Sequence, residues 1–258
     1  MWDLISNSVY ASLLLSVAIG IVGSLIVINK ATSITGSIAH GSFGGIGLGI
    51  FLGSSILLST TIFTIILALI LAFIIIKIPH RKDSLIGVIW AIGMSIGIIF
   101  LSLTPGYHAD AMSYLFGNIL LIDNNDLIVM GIVDAILLIS IVLLYNRFLA
   151  MSYDIEFLKI RGINANFLFT YFLILTSITI VMSVKSIGII LILALFTIPA
   201  LIAEKFTKKF YSMIILSALL AAIFMISGIL ISAKYDLSPT PIIVIVASIA
   251  LFLSMFKK

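Results

Sequence analysis

Long apolar runs, each broken by a short polar or basic stretch, recur from one end of the chain to the other. A helix needs about 20 apolar residues to cross the hydrocarbon core. At that length the pattern predicts roughly nine spanning helices, near 8–28, 33–53, 55–76, 85–103, 126–146, 166–184, 186–203, 210–232 and 239–256. Runs such as "TIFTIILALILAFIII" are too long for strands and lack strict alternation, so helices in lipid are expected. No stretch is long or polar enough for a soluble domain. Residues 1–258 therefore read as one all-α polytopic membrane domain.

Composition agrees with the pattern. The chain is 62% hydrophobic and 9% charged, against about 45–50% and about 25% in soluble domains. Too little polar surface exists to cover a globule in water. Cysteine is absent, which excludes disulfides and thiolate metal sites. The start "MWDLISNS" carries Asp3 and no base, so the first run is expected to be a retained span rather than a cleaved leader.

Charge placement adds orientation. Twelve of the 14 Lys and Arg residues fall in one set of loops: Lys30; Lys77, Arg81 and Lys82; Arg147, Lys159 and Arg161; Lys205, Lys208 and Lys209; Lys257 and Lys258. The other set holds Lys185 and Lys234. The positive-inside rule makes the first set cytoplasmic. Alternation across nine spans then puts the N-terminus outside and the C-terminus inside.

Two segments do not fit as spans. Residues 104–126 lie on the outer side of this topology, and "ADAMSYLFGNIL" within them is too short to cross, so a half-helix or re-entrant piece is expected. Residues 146–167 lie on the inner side. Their central part, 150–165, has Asp154 and Glu156 first, then Lys159 and Arg161, then Gly162. Acids early, bases late and a closing glycine describe a short capped helix along the membrane surface. Such a helix is available to a cytoplasmic partner.

Candidate chemistry is sparse. Gly41, Gly45, Gly49 and Gly53 recur every four residues, a stripe suited to close helix approach. His40 lies beside that stripe, in line with Gly36 and Gly44, where room for water or an ion is expected. Ionisable groups inside a membrane are costly and mark pathways by default, so His40 is a candidate transient metal ligand. Hydrogen bonding to a neighbouring helix is the bland alternative. Asp134 is the acid deepest in a predicted span. It must pair, coordinate or be protonated. Counting 1.5 Å per residue sets its depth about 8 Å from that of His40. His108 and Asp110, on the outer side, could meet an incoming cation or a docking protein.

Several motifs in series resemble the permease subunits of the zinc/manganese/iron class of ABC importers. They are "TGSIAHGSFGGIGLG" early in the second span, "SYLFGNIL", "SYDIEFLKIRGIN", "SVKSIGIILILALFTIPALIA" and the last hairpin "SGILISAKYDLSPTPIIVIVASI". The likeness covers nearly the whole chain. In the family a signature aspartate stands four residues before the histidine; here that position is Gly36, so the histidine is left without its carboxylate.

The resemblance implies a homodimeric core in the cell membrane, a pair of cytoplasmic ABC ATPase subunits, and an extracellular or periplasmic metal-binding protein. The 150–165 segment would be the ATPase contact. It further implies that the permease hydrolyses nothing and keeps no bound cofactor, the metal being cargo. No GxxxxGK[ST] phosphate loop occurs in the chain, as this requires. Import of a divalent transition metal, zinc or manganese with iron open, is the expected function. A metal chelate or another small nutrient stays open as cargo. So does an ATP-independent secondary transporter, although the internal repeat common in that class is not seen.

Overall fold

The computed structural model describes the backbone of residues 2–106 and 109–256, and side chains from 6 to 106 and from 113 to 256. His108, Lys257, Lys258 and the side chain of Asp110 lie outside the described residues. The described chain is helical, with no strand.

The first helical rod is α1 (Trp2–Ala18), a π-helical turn (Ile19–Gly23) and α2 (Ser24–Ile28). A two-residue turn with Lys30 at φ +52° leads into α3 (Thr32–Leu52). α3 ends at Gly53, whose φ of +61° provides a left-handed C-cap. Ser55 caps α4 (Ile56–Lys77) by accepting from the Leu58 N–H. Next come α5 (Lys82–Leu103), the short α6 (Ala109–Phe116) and a 3₁₀ turn (Ile119–Leu121). A full capping box opens α7 (Asn124–Tyr153), Asp123 and Asp126 each accepting from the other's backbone N–H. Beyond it lie α8 (Ile155–Ile160), α9 (Ala165–Ile187), α10 (Ile189–Phe206), α11 (Phe210–Tyr235) and α12 (Pro239–Phe256).

Among the described residues, eight helical segments are both long and apolar enough to cross a membrane. The sequence predicts nine. The ninth is α3, whose 21 residues give a length of about 31 Å. Its glycines, serines, threonines and His40 dilute its apolar character, which an interior helix can tolerate. Fourteen of its 21 residues are buried by neighbouring helices.

The first rod, α3, α9 and α10 form the interior. In an 18-residue apolar stretch of each, the first span and α9 are 72% and 67% buried, against 22% for the Pro79–Leu103 segment and 28% for α12. α4, α5, α7, α11 and α12 surround them and leave apolar faces outward, such as Ile62, Ile66 and Phe73 on α4. Those faces suit lipid. The interior carries a second kind of patterning, since Ser8, Ser12, Thr176, Ser177, Thr179 and Ser183 are all fully buried. Most return a hydrogen bond to a carbonyl three or four residues back, as Ser12 does to Ser8 and Thr179 does to Leu175. Small hydroxyl residues of this kind let helices approach closely in lipid.

The segment 104–126 contains the short helix α6. α6 has eight residues, about 12 Å, and cannot cross. It turns at Gly117, φ +71°, and folds back against the junction of α9 and α10. The Asn118 N–H donates to the Lys185 carbonyl at 3.2 Å, and Ser8 Oγ donates to the Ile119 carbonyl at 3.1 Å. Irregular backbone is thus held against protein.

Candidate functional site

His40 sits midway along α3, and the packing around it follows from small residues. Gly41 and Gly93 cross so closely that a Cβ on Gly93 would stand 2.6 Å from the Gly41 Cα. A turn and a half further on, a Cβ on Gly47 would stand 2.4 Å from the Gly97 carbonyl oxygen. α3 and α5 therefore pack backbone to backbone. Ser37 Oγ adds a hydrogen bond to the Ile86 carbonyl at 3.1 Å. On the other flank Gly45 and Gly49 meet the Thr60 and Ile56 Cα atoms of α4.

His40 itself is half-buried. Its imidazole stacks on the indole of Trp90 from α5, with ring centroids 4.2 Å apart and planes 16° from parallel. This close stack depends on the glycine crossing, which draws the two helices together. The stack covers one face of the ring.

The space expected beside His40 is filled. A Cβ on Gly36 would meet Leu193 Cδ1 of α10 at 2.6 Å and Trp90 Cζ3 at 3.7 Å. One on Gly44 would meet the Phe63 ring at 2.5 Å and the Gly93 carbonyl oxygen at 2.8 Å. Both glycines admit side chains from other helices, because a glycine in a close-packed interior leaves a slot that a neighbour enters.

Asp134 lies in another part of the interior. α7 and α9 run antiparallel, and two contacts fix their register: Lys185 Nζ donates to Asp126 at 2.5 Å, and Ser140 pairs with the Tyr171 hydroxyl at 2.7 Å. The same register places residue 134 level with residue 177. Asp134 is 5% exposed, and neither carboxylate oxygen has a hydrogen-bond partner. Among the described residues no group of three or more His, Asp or Glu side chains converges as a metal cage.

Asp154, Glu156, Lys159, Arg161 and Gly162 come together on α8 and its ends. Asp154 accepts from the Phe157 N–H at 2.9 Å, and Gly162 closes the helix at φ +69°. Leu158 is buried, whereas Tyr153, Phe157 and Ile160 are exposed.

Two features escape a reading by motif. Trp90 is 50 positions from His40, and its one signal is a bulky ring among small residues in "GVIWAIGMSIG". The other is a cavity of about 130 Å³ between α3, α4, α6, α7 and α9. Its lining includes Thr60, Tyr114, Asp126, Met130, Met182 and Lys185.

The family model "ABC 3 transport family" matches residues 1–258. The "Probable metal transport system membrane protein" of Chlamydia muridarum is 34% identical over 99% of this chain and 89% of its own length. The high-affinity zinc uptake system membrane protein ZnuB of Haemophilus influenzae is 29% identical, over 100% of this chain and 99% of its own. The manganese transport system membrane protein MntC of Listeria monocytogenes is 28% identical, over 98% and 90%. PsaBC of Streptococcus pneumoniae, solved in complex with a Fab, superimposes with a TM-score of 0.89 at 25% identity, covering 98% of this chain and 91% of that one. With its full length matched in sequence and in helical architecture, this multi-pass membrane protein belongs to the ABC 3 transport family of metal permeases.

Proposed function

We propose that this permease is the membrane subunit of an importer that carries a divalent transition metal into the cytoplasm. Zinc or manganese is the cargo and iron stays open. ATP is hydrolysed on a separate subunit that docks at 150–165. A second copy of the chain completes the membrane core, and an external metal-binding protein delivers the ion. The N-terminus is outside and the C-terminus inside, as the basic loops require. A cysteine at Ser238 should then react with an impermeant reagent from outside, and one at Ser84 should not.

The observation that carries this reading is the placement of His40. A half-buried imidazole is stacked on Trp90 between two tightly crossed helices at the depth of a membrane span. Neutral imidazole offers a nitrogen lone pair to zinc-class ions. One such ligand replaces part of a cation's water shell without trapping it. Relatives named for zinc and for manganese transport support the class of cargo.

The test compares metal uptake by His40→Ala and by the native chain at matched membrane levels. The expected result is loss of most uptake with folded protein retained. Equal rates would reduce His40 to a packing residue.

A second reading keeps the transporter and changes the cargo to a chelate or small nutrient. It is favoured by the apolar fill at Gly36, which puts no carboxylate beside His40.

A further inference from the structure

We propose that Trp90, together with Leu193, sets the cation preference of the His40 site by occupying the volume in which an oxygen ligand would otherwise stand. This rests on the reading of His40 as a pathway ligand.

Residue 36 precedes His40 by one helical turn, so the two share a face of α3. A side chain at 36 is the simplest source of a second ligand from the same helix. The Gly36 Cβ direction is instead taken by Leu193 Cδ1 at 2.6 Å and by Trp90 Cζ3 at 3.7 Å. The same indole stacks on the His40 ring at 4.2 Å. Trp90 therefore spans the turn from 36 to 40 and walls it with carbon. The nearby hydroxyls donate to backbone carbonyls, Thr35 to Ala31, Ser37 to Ile86 and Ser42 to Ala39. Against the turn from 36 to 40 the structure sets an imidazole, an aromatic face and an aliphatic branch.

Ligand chemistry then decides. Imidazole suits zinc, whereas manganese favours carboxylate, carbonyl and water oxygen. A site with nitrogen and without carboxylate penalises the oxygen-seeking ion beyond the ordinary affinity order. The stack has a further effect. It fixes the plane of the imidazole, so the nitrogens present their lone pairs in set directions. Trp90 is in this sense a positioning residue, as well as the wall. The 2.6 Å contact at Gly36 is with the far end of a flexible leucine, so an aspartate there can be admitted by a turn of that side chain.

The chain has two tryptophans, and Trp2→Phe leaves Trp90 as the sole emitter. Cobalt(II) is titrated onto this full-length protein in lipid nanodiscs, with Trp90 emission as readout. An open-shell ion held on His40 quenches the stacked indole. Saturable quenching is expected, and its loss in His40→Ala. Zinc, a closed-shell ion, is then measured as a competitor that restores emission, and manganese, itself open-shell, by its own direct quenching of the indole in a separate titration. The zinc-over-manganese ratio should fall at least about tenfold in Gly36→Asp, because a carboxylate is the ligand that manganese lacks here. Gly36→Asp with Leu193→Ala gives the same comparison with room already made.

In cells, Trp90→Phe should keep the native zinc-over-manganese uptake ratio and Trp90→Leu should lower it several-fold. Absence of any His40-dependent quenching would overturn the reading of His40 itself. His40-dependent quenching with an unaltered ratio in the aspartate variants would overturn the wall and leave His40 standing. Equal uptake ratios in native, Trp90→Phe and Trp90→Leu chains would also overturn it, whether or not the aspartate variants fold.

Discussion

Gly117 and Gly188 cross backbone to backbone with no space for a side chain on either. A Cβ on Gly117 would stand 2.2 Å from the Gly188 nitrogen, and one on Gly188 would stand 2.3 Å from the Phe116 carbonyl carbon. Both have positive φ, +71° and +76°. Gly188 also ends α9 and starts α10 at ψ 155°, a region that glycine alone occupies readily. One crossing thus fixes the end of the short α6 and breaks a long rod into two helices. Gly188→Ala and Gly117→Ala should each cost at least about 2 kcal/mol, adding left-handed strain to overlap with immovable backbone. Gly131→Ala serves as the control, since nothing lies within 4 Å of its Cβ position. In a helix interior that change should stabilise by up to about 1 kcal/mol. Thermal unfolding in detergent distinguishes the two signs, and a neutral Gly188→Ala would sink the argument.

The second prediction concerns α8. Its six residues are too few to hold a helix without help, so its caps and its dock on Leu158 matter. Asp154→Ala removes the acceptor of the Phe157 N–H and should cost about 1 kcal/mol locally. The expected phenotype is normal insertion with ATP hydrolysis uncoupled from transport, because a frayed segment cannot pass on a rigid-body movement. The exposed Ile160, 85% accessible, is the natural contact. A cysteine there should cross-link to the ATPase; cross-links found only at other loops would place the docking site elsewhere.

The third prediction is a pH dependence at the end of the bundle that carries Lys185. Asp123 accepts from the Asp126 N–H and lies 3.9 Å from Lys185 Nζ. The backbone donor, and after it the ammonium, hold its carboxyl below the ordinary value of 3.8. A depressed folded-state value stabilises the fold at pH above 3.8 and loses that contribution as pH falls through the depressed value. Asp123→Asn keeps a capping oxygen and removes the titration. Melting temperature followed below pH 5 should therefore drop more steeply in the native chain than in Asp123→Asn. Parallel curves would show that the cap does not sense protonation.

The layout of these helices was legible because lipid imposes one requirement, a run of about 20 apolar residues, on every crossing. α4 and α12 satisfy it and stand where periodicity predicts. α3 is the marginal case: the pattern places it at 33–53, yet its glycines and serines lower its apolar character because it faces other helices. The caps of α7 and α8 are local, Asp123 and Asp154 each accepting from a backbone N–H three positions on. Contacts between distant segments were not legible. Trp90 over His40 and Leu193 in the slot at Gly36 join residues 50 and 157 positions apart, and no local spacing encodes them. The room expected beside His40 was misjudged for the same reason, a glycine in a packed interior being an invitation to a neighbour.

The last prediction concerns Asp134. It is held on α7 at the level of Ser177, and Ser177 Oγ is already committed to the Ile174 carbonyl. Both Asp134 oxygens are buried without a partner. An unsatisfied buried polar group is a stability cost. That cost is about 1–3 kcal/mol, and an apolar side chain of similar volume does not incur it. Asp134→Leu should accordingly raise the melting temperature, and Asp134→Asn should at least preserve it. Ionisable groups in a membrane interior persist where transport uses them, so both variants should lose uptake at matched membrane levels while gaining or keeping stability. That opposition separates a working carboxylate from a structural one. If Asp134→Leu melts earlier than the native chain, the carboxylate supports the fold through a partner. If it melts later and transports at the native rate, Asp134 has no part in the cycle.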